Sequence, residues 1–311
     1  MDKDSPAVRV VGDFRVRLGE GVHWDAKRQR LWFVDILRGH VHWVDPVSNI
    51  GGTLKVGSMV GWVIPIADSE SLLVGLRDGV AVLDLSDPVA GPKMIATDVR
   101  YPPTADLRLN DAKIDRHGRL WCGCRSVEDE PRPIASLACV DLSTGRVEII
   151  DEGYQVANGP AFSPDGSFML HNDSTRRLVY RFDLDPKSGT IVGKRTWKSF
   201  TEYDGYPDGM NFDAAGNVWI AFWGAGRVGC YTTEGSPVFS VPIPTPFVSN
   251  VCFGGSNLDR LYVSSAEASG DAVVGRQTDL AGALFEITGT GAAGLPATEA
   301  VTPMLFRGQS I

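Results

Sequence analysis

The stretch Val156–Ser174, VANGPAFSPDGSFMLHNDS, holds two signals side by side. Its second half, SPDGSFMLHND, is a polar turn followed by a short apolar strand with a large residue in it. Its first half places Asn158 and Gly159 just ahead of that turn. The same turn-and-strand pattern recurs in WDAKRQRLWFVD (Trp24–Asp35), IADSESLLVGL (Ile66–Leu76), IDRHGRLWCG (Ile114–Gly123), FDAAGNVWIAF (Phe212–Phe222) and FGGSNLDRLYVSS (Phe253–Ser265). The apolar pairs begin at Leu31, Leu72, Leu120, Phe168, Val218 and Leu261. The spacing of about 40 to 50 residues is that of a four-stranded propeller blade. Each copy reads as a hairpin, two strands joined by an Asp/Gly-type turn. Six copies predict an all-β, six-bladed β-propeller with four-stranded blades around a central channel, a ring that leaves only short sheet edges. A β-sandwich with coincidental turn spacing is the competing reading.

Repeats run from end to end with no linker between them, which predicts a single domain over residues 1–311. Gly is abundant, at 35, yet 43% of the residues are hydrophobic, so the glycines fit tight turns rather than disorder. The net charge of −8, with no Lys/Arg block, argues against nucleic acid or an anionic membrane as partner. The start, MDKDSPAVRV, has no apolar signal core and no run approaches a membrane span, so the expected location is cytoplasmic. The five cysteines form no C-x-x-C pair, and Cys122 and Cys124 read as small buried residues on one face of a strand.

Glu20 lies between two glycines in LGEGVHWD, ahead of the first copy. Asn158 lies ahead of the fourth copy, and Asp208, in YPDGMNFD, ahead of the fifth. All three are expected in short loops before their repeats. In a closed ring such loops converge on one end of the axis. Two carboxylates and one amide, with no His or Cys, suit a hard divalent cation such as Ca²⁺, Mg²⁺ or Mn²⁺, with Zn²⁺ and Fe²⁺ still open. The matching place in the third repeat, RLNDAKID, holds Arg108, Asn110 and Asp111. Arg108 and Asn110 are two apart and share a side of an extended segment. A cationic fork and an amide so placed suit a hydroxylated or carbonyl ligand, although Asn110 or Asp111 capping its own turn fits equally. The second repeat is apolar here and reads as scaffold. The run Glu128-Asp129-Glu130 reads as a solvated loop or one leaning over the channel mouth.

Two motifs mislead. Gly224–Gly229 satisfies G-x-G-x-x-G, but strand and turn follow it where a dinucleotide site needs a helix. His171 on its strand reads as a packed histidine rather than a ligand.

Taken together, LGEGVHWD, RLNDAKIDRHGRLWCG, ANGPAFSPDG, YPDGMNFDAAGNVWIAFWGAGRV, LYVSSA and AGALFEIT resemble the senescence marker protein-30/gluconolactonase/luciferin-regenerating family, with bacterial sugar lactonases the nearest likeness. The resemblance spans nearly the whole chain. It implies one divalent metal ion held by Glu20, Asn158 and Asp208, and substrate contacts from Arg108, Asn110 and Glu128. The segment RSVEDE around Glu128 departs from the family pattern. The implied activity is metal-dependent hydrolysis of an aldonolactone to the aldonic acid in sugar catabolism, with Asp208 as general base. The implied partner is a small-molecule sugar lactone, with no nucleic acid and no membrane, and the oligomeric state is left open. The alternatives are a phosphotriesterase-like or other ester hydrolase on the same metal site, and a non-enzymatic propeller that binds calcium or a protein.

Overall fold

A computed structural model of the chain describes residues 6–127, 132–267 and 278–301. Six four-stranded antiparallel sheets form a ring, a six-bladed β-propeller. Blades 1 to 5 are each built from consecutive strands, beginning with the innermost: Gly19–Asp25, Val60–Pro65, Leu107–Ile114, Ala157–Phe162 and Tyr206–Phe212. Blade 6 begins with Val248–Gly254, and its outermost strand is the N-terminal Ala7–Val11, paired antiparallel with Leu284–Thr288. Val10 faces Phe285 in that register, so the two ends of the chain close one sheet. Each innermost strand packs against that of the next blade, and blade 6 returns to blade 1.

The repeat has a physical cause. In blades 1, 3 and 5 the turn aspartate accepts the indole N–H of the tryptophan in the next strand: Asp25–Trp32 at 3.0 Å, Asp115–Trp121 at 2.9 Å and Asp213–Trp219 at 3.0 Å. The same carboxylates accept backbone N–H groups of their own turns, from Arg28, His117 and Asn217. Aspartate therefore shapes the turn and satisfies the one polar atom of a fully buried ring. Each such ring removes roughly 150–250 Å² from water. In blade 4 the pair is replaced by Ser163, whose Oγ accepts the Phe168 N–H at 3.1 Å.

All six innermost strands carry the same irregularity. Between Glu20 and His23 there is one residue more than between their partners Val34 and Trp32. The same extra residue appears at 60–62, 109–112, 158–161, 207–210 and 248–250. A bulge of this kind bends the strand and re-aims its side chains. All five cysteines are buried free thiols. Among the described residues no helix is long and apolar enough to cross a membrane.

Candidate functional site

The bulges define the site. Glu20, Asn110, Asn158 and Asp208 sit at them, each near the start of an innermost strand. This corrects the expectation that they occupy loops ahead of the repeats. The flanking Gly21 and Gly159, at φ +57° and +82°, read as loop residues, but the positive φ belongs to the bulged strand. Gly209 allows the strands to close up, since a Cβ there would stand 2.4 Å from the Asn250 side chain.

Glu20, Asn158 and Asp208 are all buried, and they meet at one end of the channel. The Asn158 Nδ2 donates to Asp208 Oδ1, and also to Ser174 Oγ at 3.3 Å. Its Oδ1 accepts the Gly159 N–H at 3.2 Å. The Asp208 backbone carbonyl accepts the Asn172 side chain at 2.6 Å. Asn250 donates to Glu20 Oε2 at 3.0 Å and to Asp111 Oδ2 at 3.3 Å. Thus Asp111 and Asn250, on the innermost strands of blades 3 and 6, join the cluster. The sequence reading gives Asp111 to the third-repeat motif without a place among the cation-holding residues, and it does not mark Asn250. Each lies one residue after the position matching Glu20, where the bulge turns a second side chain inward. VSNVCFGG precedes the sixth copy in the phase in which GEGVHWD precedes the first, but that phase puts Ser249, not Asn250, at the place of Glu20.

Three carboxyl groups share this low-dielectric chamber. Burial, then the charge of Asp111, pushes Glu20 up from 4.5 to about 8. Burial, then the charges of Glu20 and Asp111, holds Asp208 well above the usual carboxylate range. Burial likewise raises Asp111. Shifts of this kind arise where like charges are crowded without enough cation to offset them. Arg108 is the cation on hand. It is buried, and its Nη1 donates to Asn110 Oδ1 at 2.8 Å and to the Leu109 carbonyl at 3.0 Å. Burial, then the neighbouring Arg125, lowers its guanidinium to about 9. Asn110 Nδ2 in turn donates to the Ala157 carbonyl at 3.0 Å. Arg108 and Asn110 are therefore held as one unit on the wall between blades 3 and 4.

Among the described residues no group of three His, Cys, Asp or Glu side chains forms a metal cluster. The set here is mixed, two carboxylates and an amide, and it fits a hard cation. Its carboxylates repel one another, and a divalent charge offsets that repulsion. The Asn250 Oδ1 and Asn172 Oδ1 are buried with no hydrogen-bond partner among the described residues. Asn158 turns its nitrogen toward Asp208, and half a turn of the amide presents its oxygen instead. Glu128 lies outside the described residues. His171 is fully buried against Tyr154, away from these groups, as its reading as a packed residue expected.

A six-bladed propeller with a buried carboxylate–amide cluster at one end of its channel is the class of protein that fold and site define. Residues 18–267 match the SMP-30/gluconolactonase/LRE-like region, and the chain belongs to that family. It is 32% identical to the pentonolactonase XacC of Haloferax volcanii, over 90% of this chain and 93% of the relative. To the L-arabinolactonase of Azospirillum brasilense it is 31% identical, over 83% of each chain. Among solved structures, a luciferin-regenerating enzyme superposes with a TM-score of 0.88 at 31% identity, covering 96% of this chain and all of the other. A calcium-binding protein, regucalcin, from Agrobacterium tumefaciens superposes with a TM-score of 0.84 at 26% identity, covering 95% and 97%.

Proposed function

We propose that the protein is an enzyme of sugar metabolism that hydrolyses a sugar lactone to the open hydroxy acid, with the help of one divalent cation. The observation that carries this reading is the convergence of Glu20, Asn158 and Asp208 beside the Arg108–Asn110 pair in one buried chamber. The similarity to a pentonolactonase and an L-arabinolactonase points the same way. Glu20, Asn158 and Asp208 would hold the cation, which when bound supplies Lewis-acid polarisation and neutralises crowded negative charge. The likeness to a calcium-binding regucalcin makes Ca²⁺ the first cation to try, with Mg²⁺, Mn²⁺, Zn²⁺ and Fe²⁺ behind it.

The chain's own groups account for the rest of the chemistry. Arg108 donates toward oxygen atoms of the lactone and offsets negative charge that develops on them. Its bond to Asn110 fixes the direction of the guanidinium. Asn110 orients sugar hydroxyls, and selectivity among lactones arises there. A carboxylate oxygen of Asp208 takes a proton from water as the water oxygen bonds to the lactone carbonyl carbon. The carbon–ring-oxygen bond then breaks, and Asp208 returns the proton to the departing ring oxygen. The product is a carboxylic acid and a free hydroxyl, and ionisation of the acid releases one proton to solvent.

Residues 1–311 are read as a single domain, which the shared N- and C-terminal sheet supports. The five free thiols support a reducing, cytoplasmic location. The deciding experiment follows proton release on a panel of pentono- and hexonolactones, first with chelated enzyme and then with each divalent metal restored. Metal-restored turnover of a lactone supports the reading. Turnover of an organophosphate ester in place of every lactone, or of nothing at all, would overturn it.

A further inference from the structure

The innermost strands all run the same way, from the carboxylate end of the channel to the other end. Three residues below the ring that begins with Glu20, a second ring follows in the same phase: His23, Ile64, Lys113, Ala161, Asn211 and Cys252. At about 3.3 Å per residue it lies roughly 10 Å deeper. All six line a cavity of about 320 Å³, and none of the candidate lactone-site residues does. A strap of chain crosses this end. Gly294 is tied to the Leu258 carbonyl at 2.8 Å, and Ala300 to the Pro65 carbonyl at 2.9 Å. The exposed residues between them, Leu295 to Thr298, form the outer wall.

The chemistry here is the reverse of that above. Lys113 is half-buried and makes no ion pair with the described residues. Lys113 lines the cavity together with His23 and Cys252, and both feel its charge. Among the described residues the one acid lining the cavity, Asp115, is already bound by Arg119 and by the Trp121 indole. The carboxyl of Asp111, in the upper cluster, feels the Lys113 charge as well. His23 is buried, and its Nε2 has no hydrogen-bond partner among the described residues. Burial and the Lys113 charge push its ring down to about 3, so the imidazole is neutral at ordinary pH. The exposed Arg116 stands at the rim. A half-buried ammonium and an orphaned imidazole nitrogen are costly unless something polar completes them.

We propose that this end of the channel is a second site, which binds a small oxyanion, a phosphate or a hydroxycarboxylate. The Lys113 ammonium provides the charge, His23 and Asn211 provide neutral hydrogen bonds, and Arg116 attracts the anion at the mouth. The volume is at the small end of the range for ligand pockets, which suits such anions. The proposal does not depend on the lactonase reading.

The test is calorimetric titration of the full chain carrying Asp208→Ala, which disables the upper site, with inorganic phosphate and separately with sodium gluconate. Saturable one-to-one binding of one anion identifies its source. Binding should weaken at least tenfold when Lys113→Gln is added, persist in Lys113→Arg, and fall as NaCl is raised. His23→Leu provides an independent arm should Lys113→Gln fail to fold, and is expected to weaken binding severalfold. No saturable binding of either anion overturns the proposal. So does equal binding in the lysine or histidine variants, which would leave Lys113 as a counter-charge for Asp111 alone.

Discussion

The two ends of one channel are built from the same six strands, yet three residues along those strands the character of the wall inverts. At the upper end Glu20, Asp111 and Asp208 crowd together with asparagines between them. At the lower end Lys113 stands among His23, Asn211 and apolar side chains. The same six strands carry both rings, and the bulge turns extra side chains inward at the top. The lesson is that a propeller supplies equivalent positions, and the residue types placed there decide what each level binds.

The largest expected effect is at the top. Replacing Asp208 by Ala should lower lactone turnover by about 10²–10⁴-fold, the usual range for removing a general base. Near-full activity in that variant with metal present would remove the upper ring from the chemistry. Arg108→Met comes next. A hydrogen bond to a charged group contributes about 1.5–3 kcal/mol, so kcat/KM should fall by roughly 10- to 150-fold. A purely structural Arg108 would instead lower the melting temperature and leave kcat/KM of the folded fraction intact.

The pH response sharpens the contrast further. Glu20 is raised from 4.5 to about 8 in the fold, so between those values the native state holds a proton that the unfolded chain has released. The Glu20 contribution to the stability of chelated protein is therefore fully present below about pH 4.5 and is lost as pH rises through about 8. Glu20→Gln should flatten that slope, and thermal melts across the range read it directly. Added cation should bind more tightly as pH rises, because it competes with that proton. The smallest effect concerns the frame that carries both rings. Asp213→Ala leaves the Trp219 indole unpaired and should cost about 1–3 kcal/mol, seen as a lower urea midpoint, with little change in KM of the folded enzyme.

Much of this was legible in the residues. The repeat could be read because it has a local cause: the turn aspartate and the tryptophan six or seven positions on form one hydrogen-bonded unit within each of three blades. Glu20, Asn158 and Asp208 could be grouped because they share a phase relative to the repeated turn, five residues ahead of Asp25, Ser163 and Asp213. Asn250 could not, because it stands one position later. The side-chain alternation that would hide it in a regular strand is broken by a bulge, and no local pattern marks that bulge. For the same reason the site residues read as loop when they are strand.

By itself, then, the sequence determined the architecture and the phase of the upper ring, because both follow from contacts between residues close along the chain. Only the tertiary structure decided that Asn250 reaches Glu20 across 230 positions, and that Asp111 shares its amide. Closure of the ring also decided that three carboxyls crowd together while Lys113, below them, makes no ion pair with the described residues. Burial and charge crowding are properties of six strands brought together, and no one of those strands carries them alone.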